Sequence, residues 1–233
     1  MTDPTADDIA RLADWDTPTI CNGLEALDPA CRLIGYTTRA FVCLRPEAKP
    51  IVGHARTATI RASAEPALPP DEVLALRQSY YRYVDAGPKP SVAVIQDLDD
   101  APGRGAFWGE VNTAIHKGLG ALGVLTNGSI RDLADSAPGF QALAGQVSPS
   151  HAWVHVTSHG RPVEVHGMAV NDGDIVHADA HGAVVVPTRL VRDLPDAIDL
   201  IARREARILD AARAAEFDFA RLEAAMADAS EIH

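Results

Sequence analysis

The sequence predicts an α/β fold, and three observations carry that prediction. Short apolar runs of strand character alternate with segments whose apolar residues recur at helical spacing. The 233 residues, 47% of them hydrophobic, can bury a substantial core yet stay within the usual size of one domain. No Gly/Ser or charged spacer divides the chain, since the proline-containing stretches Glu65 to Pro70 and Ala86 to Pro90 are short enough to be loops. Residues 1–233 are therefore expected to form a single domain.

Ile9, Leu12 and Ala13 suggest a short amphipathic turn or helix at the start. Thr17 and Pro18 read as cap and first position of a helix whose apolar face is Ile20, Leu24 and Leu27. Pro50 to Ile60, rich in Val, Ile and Thr, reads as a strand with a bend at Gly53. Asp71 is placed to cap a helix running through Val84, with Val73, Leu76, Tyr80 and Val84 facing inward and Gly87–Pro88 stopping it. Ser91 to Ile95 is a buried-strand pattern emerging at Gln96 and Asp97, and Gly103 and Gly105 make the next loop permissive. Trp108 to Gly118 has helical spacing, with Val111, Ala114 and Ile115 available for packing, and the apolar run Leu122 to Leu125 leads into TNGSIRD. This succession brings two glycine-containing loops to neighbouring ends of adjacent strands, where open α/β sheets bind ligands. Past Pro149, the segments Trp153 to Thr157, Pro162 to Val165, Asp174 to Val176 and Ala183 to Val186 read as strands, with the change of texture suggesting a second lobe. Residues 196–231 read as a long C-terminal helix for packing or oligomer contact, with Ile198, Ile201, Leu209, Ala212, Phe219 and Leu222 as its stripe.

A formal charge of −11 opposes nucleic acid and anionic membrane surfaces as partners, but not a small anion held by one well-placed arginine. Cys21, Cys31 and Cys43 have no close CxxC pairing, so neither a zinc knuckle nor a disulfide framework is indicated. The acidic, polar start MTDPTADDIA is unlike a signal peptide and no apolar run reaches membrane-spanning length, so a cytoplasmic location is expected.

The chemistry concentrates at Gly128 to Asp132. A guanidinium at Arg131 can clasp a carboxylate through two parallel hydrogen bonds, and Asp132 offers a hard oxygen to Mg2+ or Mn2+. The plain alternative is a surface ion pair. Glu110 shifts the balance, because it sits near the start of a predicted helix whose exposed amides can bind an anionic oxygen, although an acid there also simply suits the helix dipole.

Gly105 to Asp132, GAFWGEVNTAIHKGLGALGVLTNGSIRD, resembles the family that joins class II 4-hydroxy-4-methyl-2-oxoglutarate aldolases, oxaloacetate decarboxylases and regulator-of-ribonuclease-activity A proteins. GDIVHADAHGAVVVP, from Gly173 to Pro187, resembles its second signature, and the likeness of pattern runs from about Thr17 to Pro187. The resemblance implies a swivelling β/β/α three-layer sandwich assembled as a homotrimer or hexamer. It implies Arg131 as the group holding the oxoacid and its enolate, Asp132 as a direct ligand of Mg2+ or Mn2+, and Glu110 as holder of a metal-bound water. Trp108, Gly109 and Glu110 then supply the backbone amides for the substrate carboxylate. The implied activity is metal-dependent aldol cleavage or decarboxylation of a small anionic 2-oxoacid through a pyruvate enolate; the alternative is a non-enzymatic, protein-binding regulator of ribonuclease activity. Family aldolases also take an acidic residue from a neighbouring subunit, and Glu205 and Glu216 are the C-terminal acids available here. A methyltransferase label sometimes attached to the family finds no glycine-rich methyl-donor loop to support it.

His151, His155, His159, His166, His177 and His181 lack any zinc-type spacing and read as structural, hydrogen-bonding or surface groups on successive strands and turns. His177 and Asp179 fall in the second signature, His116 points away from Glu110 on a helix, and Trp108 and Asn127 suit either the site or local packing.

Overall fold

The computed structural model describes residues 3–232. Helix α1 (Ala6–Arg11) is closed by a reciprocal capping box between Thr5 and Asp8, and α2 (Thr17–Leu27) follows. Asp16, rather than Thr17, caps α2: its side chain accepts from the Thr19 amide, leaving Thr17 and Pro18 inside the first turn, where proline lacks no needed donor. Then come β1 (Val42–Cys43), β2 (Ile51–Arg61), α3 (Pro70–Ala86), β3 (Ser91–Asp97), β4 (Ala106–Trp108), α4 (Glu110–Gly118), β5 (Ala121–Ile130) and β6 (Gln141–Val147). The remainder is β7 (His155–His159), β8 (Val163–Val165), β9 (Met168–Val170), β10 (Ile175–Asp179), β11 (Gly182–Val186), α5 (Leu194–Ala212) and α6 (Phe219–Ser230).

The large sheet runs β1-β6-β5-β3-β2-β10-β11, with β4 added to β5 and β7 added to β2. Its centre is parallel (β2, β3, β5, β6) and its margins antiparallel. The expected second lobe is part of this sheet, because β10 pairs with β2 at Ile175↔His54 through Ala178↔Ile51. Among the described residues, only β8 and β9 stand apart, as a two-stranded sheet.

Alternation along the strands sorts the core into layers. Ala93 and Ile95 of β3 pack toward α3 and α4 with Tyr80, Val84, Phe107 and Trp108, while Val92 and Val94 pack against Val163, Val165, Met168 and Val170 of the small sheet. The result is a β/β/α sandwich, as the resemblance implied. A third cluster seats α1, α2 and α5 on β10 and β11 through Ile20, Leu24, Val184, Leu194 and Ile198.

Two expectations about helices change. The segment read as helical from Trp108 begins with strand β4, and α4 buries Asn112, Thr113 and His116 while leaving Val111 65% exposed. These polar residues sit inside because each is hydrogen-bonded: Asn112 Nδ2 donates to Phe107 O, Thr113 Oγ1 to Gly109 O, and His116 bridges Asn112 O and the Tyr80 hydroxyl. The C-terminal segment is two helices rather than one; α6 restarts at an Asp218 cap, and Leu209 and Phe219 of the expected stripe are exposed.

Helix α3 is anchored near its C-terminal end. The buried Arg56 of β2 donates to Tyr83 O and to Asp172 Oδ1, both at 2.8 Å, and lies 3.7 Å from the Tyr83 ring centroid. The Tyr83 hydroxyl donates to Asp172 and accepts from the Thr57 amide at 2.9 Å, and burial pushes its pKa up to about 12. Gly87 is required beside this group, since a Cβ there would lie 2.4 Å from Arg56 Nε.

Burial holds the His116 pKa down at about 4. A histidine neutral in the fold contributes stability that is present above its ordinary value near 6.5 and is lost as pH falls toward 4. That difference is worth about 3 kcal/mol. Denaturant midpoints measured from pH 7.5 to 4 are expected to fall, and His116→Gln, which keeps a donor and acceptor without ionising there, is expected to make the decline shallower.

Candidate functional site

Strand β5 carries the site. Its first half pairs with β3 (Ala93↔Val124, Ile95↔Thr126), and its last residues pair with β4 (Ala106↔Ser129, Trp108↔Ile130). The Arg131 amide continues that ladder by donating to Trp108 O at 2.9 Å. Immediately beyond, Asp132 turns the chain with φ 52°, a left-handed conformation that Asp tolerates better than most residues. Its carbonyl accepts from the Ser136 amide and hydroxyl, both at 2.9 Å.

This turn aims the Asp132 carboxylate at the start of α4. Oδ2 accepts from the Glu110 amide at 3.3 Å, so the two loops meet through one carboxylate oxygen. Arg131 Nε lies 3.3 Å from the same oxygen without hydrogen-bond direction, an electrostatic contact only. Gly109 makes the approach feasible: a Cβ there would lie 2.5 Å from Oδ2 and 3.1 Å from Arg131 Cγ.

A cavity of about 410 Å³ opens over this junction. Gly109, Glu110, Arg131 and Asp132 line it together with Val73, Arg77, His151, Val154, His155 and Val156. The terminal guanidinium nitrogens of Arg131 have no acceptor among the described residues, and neither has Asp132 Oδ1 a donor. In the first turn of α4, the Val111 and Asn112 amides have no intrahelical acceptor. A relay ties Arg77 of α3 to α4: Arg77 Nε donates to the Tyr81 hydroxyl at 3.1 Å, which donates to Asn112 Oδ1 at 2.7 Å.

Among the described residues, no group of three or more His, Cys, Asp or Glu is arranged to hold a metal. An all-protein cage is therefore not offered. The chemistry of the donor set does fit Mg2+ or Mn2+, which bind through one or two carboxylates, substrate oxygens and water: the uncommitted Asp132 Oδ1 and the exposed Glu110 share the cavity.

Arg131, Asp132, Gly109 and Glu110 are thus brought together. The Trp108 ring is not with them; it is 1% exposed, stacked on Phe140 and 4.4 Å from the His116 ring, so only its backbone borders the junction. Asn127 clamps two strand ends, accepting from Asp97 N at 2.7 Å and donating to Asp97 O at 2.9 Å. Asp97 in turn holds the glycine loop by accepting from Gly103 N, and burial raises its pKa. His177 and Asp179 clamp α2, through Thr17 Oγ1 at 3.0 Å and Thr17 N at 2.8 Å. Glu205 lies beside Trp15 and Asn22, and Glu216 pairs with Arg221; neither borders the Arg131 cavity of its own chain.

The structure adds Arg77, His151 and His155 to the wall. His155 Nδ1 donates to Trp153 O at 2.7 Å and His151 Nδ1 to Ala106 O at 3.2 Å, so in each neutral ring Nε2 is the basic nitrogen. Four-residue spacing and a preceding proline were the only sequence signals, and neither points to this cavity.

An alignment of 132 residues, covering 54% of this chain, is 26% identical to Protein DlpA of Legionella pneumophila, but it covers 21% of that protein, so the chain spans about a fifth of that curated relative's length. The crystal structure of an uncharacterized protein from Pseudomonas syringae superposes with a TM-score of 0.72 at 20% identity, covering 97% of this chain and 96% of that one. Streptomyces coelicolor RraAS2, described as an unusual member of the RNase ES inhibitor RraA protein family, superposes with a TM-score of 0.68 at 21% identity, covering 88% and 97%. These likenesses establish the shared fold. Residues 17–185 match the RraA-like (Aldolase/RraA) family across most of the chain, taking in the first signature and all but the last two residues of the second, and the protein belongs to that family.

Proposed function

We propose that the protein is a divalent-metal-dependent lyase that cleaves or decarboxylates a small 2-oxoacid through a pyruvate enolate. The observation that carries this reading is the Glu110 amide–Asp132 contact, which gathers an uncommitted carboxylate oxygen, an uncommitted guanidinium and a helix N-terminus around one cavity. Asp132 would hold Mg2+ or Mn2+ directly and Glu110 through water; the ion, when bound, polarises the keto oxygen as a Lewis acid. Arg131 binds the anionic oxygens and stabilises the charge that develops as the carbon–carbon bond breaks. The free amides of α4 take the substrate carboxylate.

Decarboxylation needs no base to start it, whereas aldol cleavage must first remove the hydroxyl proton. His155 is suited to that step, with an unpaired Nε2 and a place in the lining of the same cavity as Arg131. Arg77 beside it offers a second cation for a dicarboxylate. A homotrimer or hexamer, and a cytoplasmic setting, accompany this reading as family expectations. The alternative, a protein-binding regulator of ribonuclease, takes support from the net charge of −11 and from the Streptomyces relative's description; it gives the Arg131–Asp132–Glu110 set no task.

Pyruvate release from 4-hydroxy-4-methyl-2-oxoglutarate and from oxaloacetate, each with and without Mg2+ or Mn2+, is the direct test. Metal-dependent release from at least one is expected; release from neither, together with a stable complex with a ribonuclease, would favour the regulator. His155→Gln is expected to slow aldol cleavage about 100-fold while leaving oxaloacetate decarboxylation nearly unchanged. Equal loss in both reactions would remove His155 as the base.

Gly109→Ala separates site from fold. Its Cβ would displace Asp132 Oδ2, and a cost of about 1–3 kcal/mol in denaturant unfolding is expected along with loss of lyase turnover. Gly118→Ala meets open space at the end of α4 and is expected to be neutral or stabilising by up to about 1 kcal/mol with turnover retained.

A further inference from the structure

Arg77 lines the same cavity as Arg131, Asp132 and His155, and the way it is held sets it apart from an ordinary surface arginine. Its partner is neutral: Nε donates to the Tyr81 hydroxyl at 3.1 Å. Its terminal nitrogens have no acceptor among the described residues. An arginine oriented by a phenol rather than a carboxylate keeps its full charge and its terminal donors for a ligand.

The phenol is itself fixed. Tyr81 donates to Asn112 Oδ1 at 2.7 Å, Asn112 Nδ2 donates to Phe107 O, and the Tyr81 ring lies edge-on to His116 with 5.7 Å between centroids. Asn112 is 7% exposed and sits in the first turn of α4, where its own amide is one of those assigned above to the substrate carboxylate. One chain of hydrogen bonds therefore ties Arg77 to the amides that receive the oxoacid head.

The two reactions left open above treat a far carboxylate differently. In aldol cleavage of a 4-hydroxy-2-oxodicarboxylate, the C4 hydroxyl loses its proton to the base and the C3–C4 bond breaks. The electron pair stays with the pyruvate enolate, which is protonated at C3, and C4 becomes a carbonyl that keeps its carboxylate. In decarboxylation of oxaloacetate the same bond breaks and the pair again stays with the enolate, but C4 departs as neutral CO2 and C3 takes a proton from water. A cation on the far carboxylate keeps its grip through cleavage. In decarboxylation it stabilises the ground state more than the transition state, because the charge it holds is being lost.

We propose that Arg77 biases the site toward aldol cleavage over decarboxylation by holding the far carboxylate, and that Tyr81 is the positioning residue that sets Arg77 for this contact. The inference rests on the lyase reading above and assigns the preference between its two reactions to α3.

Calorimetric titration of the full chain in Mg2+ with 2-oxoglutarate and 2-oxopentanoate, acids of one chain length that differ in the far carboxylate, tests the contact without turnover. The dicarboxylate is expected to bind about tenfold more tightly, and Arg77→Gln to bring the two within about twofold. Tyr81→Phe, which keeps the ring, is expected to cut the preference about threefold, with little further effect in the Arg77→Gln background. Arg77 is exposed, so its replacement leaves the fold intact. In turnover, Arg77→Gln is expected to raise KM for 4-hydroxy-4-methyl-2-oxoglutarate about tenfold at nearly constant kcat, but to raise KM and kcat for oxaloacetate together, about fivefold. A dicarboxylate preference absent from the unaltered protein or surviving Arg77→Gln, or the same kinetic change in both reactions, would overturn the role of Arg77 while leaving the oxoacid site in place. An unchanged preference in Tyr81→Phe, or a full further loss in the Arg77→Gln background, would overturn the positioning role. Binding of neither acid would overturn the lyase reading, and this inference with it.

Discussion

One strand pairing with two partners in succession is the constraint on which the site depends. β5 leaves β3 after Thr126 and takes up β4 at Ser129, so β4 continues the row that β3 began. The chain between those strands must loop out and return, and it returns with Gly109 against the end of β5. That is why α4 starts across from Arg131 rather than at the usual distance of a crossover helix. The shift also explains two tight glycines: a Cβ on Gly145 would lie 2.4 Å from Asn127 O, where β5 is irregular, and one on Gly105 would lie 2.2 Å from His151 O. Bulges and close backbone approaches beside a site are where side chains are least tolerated.

The electrostatics of the site run against those of the whole molecule. With a formal charge of −11, the chain repels small anions at long range. Within the cavity Arg77 and Arg131 stand against Glu110 and Asp132, and the amide ends of α4 add partial positive charge. Near a surface of mixed dielectric such short-range terms outweigh a screened net charge, because screening at physiological salt removes most interactions beyond about 8 Å.

What the sequence disclosed, and what it hid, follows from how each residue is paired. β3 and the first half of β5 were legible because both faces of a central parallel strand are buried, which writes an unbroken apolar run. TNGSIRD was legible for the opposite reason, a polar, glycine-bearing exit from such a run. β4 was not, since three residues carry no period, and β6 was obscured by its Ala and Gly content. The face of α4 was misread because its inward residues, Asn112, Thr113 and His116, are polar groups satisfied by hydrogen bonds that only the tertiary structure supplies. Arg77, His151 and His155 reach the cavity from a helix, a loop and the start of a returning strand far apart in sequence, and no local pattern encodes that convergence.

The fastening of α3 has a mechanical consequence. Arg56, Tyr83, Thr57 and Asp172 grip the helix at its last turns, whereas Pro70 to Leu76 follow a loop and remain largely exposed. A rod clamped at one end is stiff at the clamp and compliant at the tip. Val73 lies toward the tip, so the width of the space it borders is set by the end of the helix that this clamp does not reach.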